Sequence, residues 1–262
     1  MARILAIANQ KGGVGKTTTS VNLAAGLAQA DQRVLLIDLD PQGNATMGSG
    51  VDKRSAALTV YHVLLGLSDL AAVRTRSESG RYDLVPANRE LAGAEVELVD
   101  LPNRETRLKV ALAPIELEYD FILIDCPPSL SLLTINGLVA AQAVLIPMQC
   151  EYYALEGLSD LVGTIKRVRA HLNARLEIAG LLRTMYDPRN TLSQQVSQQL
   201  ESHFGDKVYR TLVPRNVRLA EAPSYGAPAV VWDRASKGAQ AYLALVDEIL
   251  GRDSRPVESA LS

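Results

Sequence analysis

The sequence predicts an α/β fold: a doubly wound, mostly parallel β-sheet flanked by helices. Three observations carry that prediction. Short runs rich in Ile, Val and Leu alternate with segments of helical spacing, the runs are apolar at nearly every position, and a glycine-rich turn joins the first run to the first helix. A strand that is apolar on both sides is buried on both sides, which is the condition of a parallel sheet covered by crossover helices. The 262 residues, 47% of them apolar, suit one α/β domain with a full core.

In chain order, residues 4–8 (Ile-Leu-Ala-Ile-Ala) read as the first strand and residues 17–30, alternating small and apolar, as the first helix. Residues 34–38 and 121–125 are strands that each end in aspartate, and 144–147 and 178–184 are two more. Leu158, Leu161, Val162, Ile165, Val168 and Leu172 keep helical spacing, which leaves Lys166, Arg167 and Arg169 on the wet side. Residues 191–204 form a helix with a solvated Gln-rich face, and 238–250 form the last one. One domain is expected over residues 1–251, with 252–262 as a loose tail that has little to bury.

Between the first strand and the first helix stands Lys11-Gly12-Gly13-Val14-Gly15-Lys16-Thr17-Thr18. A triphosphate concentrates several negative charges, and such a turn meets them with backbone N–H groups, a helix N-terminus and an ammonium. Gly12, Gly13 and Gly15 let the backbone close in where a Cβ would clash. Lys16 is expected at the terminal phosphates and the Thr17 hydroxyl on Mg²⁺. The usual motif asks for one more glycine where this chain has Gln10, and a second lysine, Lys11, stands at the loop entrance. Lys11 has no evident task in its own subunit, so the expectation is that it reaches a nucleotide held by a facing copy.

Carboxylates complete the pattern. Asp38 and Asp40 follow the second strand in Ile-Asp-Leu-Asp-Pro-Gln-Gly-Asn-Ala-Thr, at the strand end where open α/β sheets place ligands. Asp40 is placed to orient a water for attack on the γ-phosphate, and the deeper Asp38 to hold a metal-bound water. Asp125 ends Phe-Ile-Leu-Ile-Asp as the further Mg²⁺-linked carboxylate of P-loop NTPases. Carboxylates beside a triphosphate need Mg²⁺ between them.

The formal charge is −2, from 27 Lys and Arg against 29 Asp and Glu, so any nucleic-acid binding must be local. Residues 161–237 hold twelve Lys and Arg against six Asp and Glu, a local net of +6. The chain opens directly into a strand, without a basic-then-apolar leader, and has no apolar run near 18 residues. Two cysteines, Cys126 and Cys150, are too few for a disulfide framework, and a reducing cytoplasm is the expected home.

Lys11 to Thr18, Asp38 to Thr46, Asp-Cys-Pro-Pro-Ser after residue 124, Glu-Tyr-Tyr-Ala-Leu-Glu-Gly from residue 151, and Pro-Arg-Asn-Val-Arg-Leu-Ala-Glu-Ala-Pro-Ser from residue 214 together resemble the ParA/Soj chromosome-partitioning ATPases. The likeness runs from residue 3 to about 250. It implies a P-loop NTPase fold, ATP and Mg²⁺ as cofactors, and ATP sandwiched in a homodimer. It further implies binding of double-stranded DNA without sequence preference, hydrolysis stimulated by a ParB/Spo0J-type centromere-binding protein, and a cytoplasmic, nucleoid-associated location. By the same resemblance Lys11 and Gly12 lie at the dimer interface and Lys11, Lys16 and Asp40 serve hydrolysis. ATP contacts fall on residues 11–18 and on Met185, Pro214 and Asn216, while Arg189, Arg215, Arg218, Arg234 and Lys237 face DNA.

Particular residues separate the chain from two rival families. A MinD-like membrane ATPase needs a basic, bulky amphipathic C-terminus. The end of this chain, Ala-Leu-Val-Asp-Glu-Ile-Leu-Gly-Arg and then Pro256 and Glu258, is acidic and interrupted, and no membrane partner is expected. A cluster-bridged ATPase of the nitrogenase iron-protein kind needs two cysteines per subunit that bridge a cluster across a dimer. Cys126 and Cys150 stand instead at strand ends, as packed thiols would.

Overall fold

The computed structural model describes residues 1–152 and 154–253. Among these, eight strands form one sheet: β1 (Arg3–Ile7), β2 (Val34–Asp38), β3 (Thr75–Ser77), β4 (Tyr82–Val85), β5 (Phe121–Asp125), β6 (Ala143–Gln149), β7 (Glu177–Tyr186) and β8 (Val208–Pro214). Their order is β3-β4-β2-β5-β1-β6-β7-β8, parallel at every pairing except β3 with β4. The helices are α1 (Lys16–Gln29), α2 (Asn44–Gly48), α3 (Val60–Leu65), α4 (Leu70–Val73), α5 (Leu91–Glu97), α6 (Arg107–Leu112), α7 (Leu132–Ala140), α8 (Ala154–His171), α9 (Thr191–Phe204), α10 (Val217–Glu221), α11 (Ala229–Trp232) and α12 (Lys237–Asp253). No helix of the described residues is long and apolar enough to cross a membrane.

The apolar strands serve two cores at once. Leu5, Ile7, Leu36 and Leu123 pack on the face covered by α1 and α12 with Leu23, Leu27, Leu245 and Ile249. Their neighbours Ile4, Ala6, Ile37 and Ile124 pack on the other face with Leu91, Leu108, Leu138 and Leu161. Two-sided burial is therefore why these strands lack polar alternation. On the first face α1 and α12 approach so closely that a Cβ on Gly26 would stand 2.7 Å from Val246 Cγ2.

The predicted α/β class and all five predicted strands are present. Strands β3, β4 and β8 were not foreseen, for physical reasons. β3 is a three-residue antiparallel edge (Thr-Arg-Ser), and β8 carries Arg210 and Thr211 because it is the opposite edge, with a neighbour on one side. Leu172, expected in the buried stripe of α8, lies exposed just beyond the helix end, whereas Lys166, Arg167 and Arg169 are exposed as expected. The last helix continues past residue 250 to Asp253. Arg252, assigned to the tail, belongs to it: Nη2 donates to Val208 O at 3.2 Å and to Glu248 Oε1 at 2.9 Å, with the guanidinium 4.2 Å from the Tyr209 ring centre. The rest of the expected tail lies outside the described residues.

Candidate active site

All the predicted site residues before residue 130 sit at the C-terminal edge of the central strands, and the loop after β1 is fastened there. Asn9 Nδ2 donates to Pro147 O at 2.8 Å, and Lys11 N donates to Asn9 Oδ1 at 3.0 Å, which ties the loop to β6. Gly13 and Gly15 have φ of +72° and +89°, a left-handed backbone that a side chain would strain. Gly15 caps α1 without any side-chain hydrogen bond, and the first turn holds no acidic residue. The first N–H groups of this 14-residue helix are thus left for an anion. Val14 O accepts from Thr184 Oγ1 at 2.7 Å, so β7 braces the loop as well.

Lys16 is buried, and its Nζ spans the loop to donate to Lys11 O at 3.0 Å. Burial lowers its pKa, with Asp125 and Asp40 pulling the other way. Thr17 Oγ1 donates to Asp125 Oδ2 at 2.8 Å and Ser20 Oγ to Asp125 Oδ1 at 2.7 Å. Ser20 follows Thr17 by three residues, so α1 presents both hydroxyls on one face. The Thr17–Ser20 spacing is a sequence signal for this shared face.

The strand register supplies the electrostatic problem. Asp38 and Asp125 are paired positions of β2 and β5, and neither has solvent contact. Asp38 accepts from Thr46 N at 2.8 Å, Thr46 Oγ1 at 2.7 Å and Asp40 N at 3.1 Å. Burial pushes both carboxyls up, and the charge of Asp38 raises Asp125 further. Two dry carboxylates side by side, next to a threonine hydroxyl and an uncapped helix start, are a donor set for a small hard cation. The residues present fit Mg²⁺. Asp40 lies just past β2, half-buried, in a turn closed by Gly43 N donating to Asp40 O at 2.8 Å, with Gly43 at φ +62°.

A cavity of about 340 Å³ opens beside Gly15 and Thr18, lined among others by Met185, Pro214, Arg215 and Asn216. The structure thus brings three residues distant in sequence, Met185, Pro214 and Asn216, against the phosphate loop. Met185 has φ +49°, a conformation costly for an unbranched bulky side chain and concentrated at functional sites. Tyr242 of α12 also lines this cavity and shares a 3.0 Å hydrogen bond with Thr19 Oγ1. Nothing in the sequence had singled it out.

The expectation that Lys11 has no task in its own subunit does not hold. Its Nζ is ion-paired with Glu151 of the same subunit, both side chains being partly exposed, so it does have a partner at home. The basic residues also carry partners. Arg189 is bidentate on Asp187, Arg218 pairs with Glu221 and Asp233, and Arg234 donates to Gln29 Oε1. Arg189 follows β7 and Arg215 follows β8, both at the same sheet edge as the nucleotide loop. Arg215 is exposed and near enough to help lower the Asp187 pKa, while Lys237 opens α12 and is exposed. Cys126 and Cys150 are free and buried, and burial raises both thiols, Cys150 to about 11.

A glycine loop between strand and helix, a buried lysine beneath it, a hydroxyl at the helix start and two paired carboxylates at neighbouring strand ends define a nucleotide-hydrolysing P-loop ATPase. Comparison with known proteins narrows the class. Residues 2–178 match the AAA_31 family model, an AAA domain. The chain is 53% identical to the sporulation initiation inhibitor protein Soj of Bacillus subtilis, covering 95% of this chain and 98% of that one. It is 51% identical to the chromosome partitioning protein ParA of Caulobacter vibrioides strain NA1000, over 96% and 95%. Among solved structures it resembles a Mycobacterium smegmatis protein described as cobyrinic acid a,c-diamide synthase with bound ADP and magnesium, at TM-score 0.85 and 40% identity over 97% of each chain. The chain belongs to the ParA/Soj family of chromosome-partitioning ATPases.

Proposed function

We propose that this partitioning ATPase works as a timed switch: with ATP and Mg²⁺ it forms a homodimer that holds double-stranded DNA without sequence preference, and hydrolysis returns it to a free monomer. One observation carries the dimer. Among the described residues, and beyond its own chain neighbours, a Cβ on Gly12 or Gly13 would meet no atom within 4 Å, so that side of the loop is open. Phosphates and a facing copy account for that open loop face. The Lys11 ammonium, paired with Glu151 at a partly exposed position, can exchange that partner for the other copy's nucleotide.

In this reading Thr17, Asp38, Asp40 and Asp125 hold Mg²⁺, directly or through water, and the ion neutralises phosphate charge when bound. Residues 12–18 bind the phosphates through backbone N–H groups, and Lys16 holds the terminal ones. Met185, Pro214 and Asn216 enclose the base. Asp40 orients the attacking water, and Lys16 with the partner's Lys11 stabilises charge on the transferred group. No strong general base is evident among the described residues of the site, so turnover alone is slow, and a ParB/Spo0J-type protein sets the lifetime. Arg189, Arg215, Arg218, Arg234 and Lys237 supply phosphate contacts at the DNA backbone. About six contacts per dimer predict a loss of about a thousandfold in affinity between 50 and 200 mM salt. The protein then works in the cytoplasm, on the nucleoid.

The test uses Asp40→Ala protein with ATP, ADP or no nucleotide, presented to random-sequence duplex and to anionic liposomes. Retention on DNA with ATP alone, together with a dimer by light scattering, is the expected result. A monomer at saturating ATP, or retention on liposomes instead, refutes it.

A further inference from the structure

Helix α10 stands between two cavities. Val217, Leu219 and Ala220 wall the cavity assigned to the base. Leu219 also faces a second cavity of about 280 Å³, bounded by Thr17, Val21, Met47 and Pro228. The helix has five residues, buries none of them, and is capped by Asn216, whose Oδ1 accepts from Arg218 N at 2.9 Å. Asn216 itself lines the first cavity. A helix so short, with space on two sides, draws its position from its attachments.

Two of these attachments reach the chain that follows it. Leu219 rests on Gly238, where a Cβ would stand 2.6 Å from Leu219 Cγ. Arg218 reaches across to the turn after α11: its Nε lies 3.3 Å from Asp233 Oδ2 and its guanidinium 5.6 Å from the Trp232 ring centre. Trp232 is in turn stacked on Tyr225, with ring centres 4.3 Å apart. Glu221 on α10 takes Arg218 Nη1 at 3.0 Å, so both carboxylates occupy donors that an external phosphate would need.

We infer that the Arg218–Asp233 pair is a latch: it withholds this arginine from external phosphate until nucleotide fills the neighbouring cavity, and the resulting shift of α10 releases it. The inference rests on the nucleotide and DNA reading above and adds how the one controls the other. Asp233 acts as a stand-in for DNA phosphate in the resting molecule. Arg189 is covered in the same manner by Asp187, two residues before it.

Trp232 is the only tryptophan, so its emission reports on the guanidinium beside it. The experiment follows that emission while ATP is added without DNA, with ATP binding measured in parallel by calorimetry. A short random duplex is then titrated with and without ATP. In the unsubstituted protein, ATP should shift the emission before DNA is present. Asp233→Asn should show the shifted emission without nucleotide and bind nucleotide-free to duplex about two- to fivefold more tightly, the range set by an exposed ion pair. Asp233→Ala should behave alike, and the ATP dependence of DNA binding should shrink by the same factor. Bound ATP with unmoved emission overturns the latch alone, as does a variant whose nucleotide-free DNA affinity equals that of the unsubstituted chain. Absence of ATP binding by calorimetry overturns the parent reading along with it.

Discussion

Replacing Thr46 by valine tests whether the site is built from the inside. Thr46 is fully buried and its hydroxyl does two things: it donates to Asp38 Oδ2 at 2.7 Å and accepts from Ala87 N at 2.9 Å. It thereby joins the carboxylate at the end of β2 to the segment that follows β4. Valine keeps the shape and removes both bonds. Losing a donor to a charged acceptor costs about 1.5–3 kcal/mol, and the stranded Ala87 N–H about 1–3 kcal/mol more. The total of about 2.5–6 kcal/mol is a large part of the 5–15 kcal/mol that holds a typical domain. With a urea slope near 3 kcal/mol/M, the midpoint should fall by about 1–2 M. Thr46→Ser keeps both bonds and gives up one buried methyl, about 1 kcal/mol. Urea unfolding of both variants, followed by circular dichroism, separates the terms. A valine variant no less stable than the serine variant refutes the claim that the bridging hydroxyl holds Asp38 in place.

Three further outcomes follow from the geometry. Lys16→Ala removes a charge-assisted donor and the tie to Lys11 O, and should weaken binding of a non-hydrolysable ATP analogue at least about tenfold by calorimetry; unchanged affinity would contradict the phosphate assignment. Gly26→Leu drives side-chain atoms into Val246, whose Cγ2 lies 2.7 Å from the Cβ position, and should cost about 1–3 kcal/mol in a thermal melt, partly regained with Val246→Ala. Asp120 is held at about 2, below its ordinary 3.8, by hydrogen bonds from the Arg33 side chain and N–H. A carboxyl lowered by folding stabilises above its unfolded pKa and loses that contribution as pH falls, so the acid limb between about pH 4 and pH 2 should flatten in Arg33→Gln.

What the sequence made legible was what local patterns encode. Residues 34–38 and 121–125 had to be buried strands because every position is apolar up to the aspartate, and the glycine loop had to follow β1. What it left hidden was set by pairing partners. That Asp38 and Asp125 are register neighbours follows from β5 inserting between β2 and β1, a crossover over some eighty residues that no local signal specifies. The contacts of Thr46 and Glu151 stayed hidden for a related reason. Each gains its role from a side chain reached through tertiary folding, as Lys11 to Glu151 shows across 140 positions. The Gln-rich face of α9 and the cationic face of α8 were readable because helical period alone decides them.

The same register links stability to ligand. Packing β2 against β5 buries apolar side chains at four of the five paired positions, and continuity of the strands then carries Asp38 and Asp125 into the dry layer as the fifth. The hydroxyls of Thr17, Ser20 and Thr46 and the backbone at Asp40 relieve part of that charge but supply no countercharge. Lys16 lies near, yet its Nζ is turned to the loop carbonyl of Lys11. A bound cation with nucleotide therefore offsets a cost already built into the free chain. Ligand at a hundred times its dissociation constant adds about 2.7 kcal/mol to any protein that binds it only when folded. Here the increment should depend on the pair: Asp125→Asn removes one buried charge, so the free protein should gain stability while the stabilisation by Mg²⁺ and nucleotide shrinks. Melting curves with and without both ligands read the two changes separately. A variant stabilised by ligand as much as the original would show that the paired carboxylates are not where the cation acts.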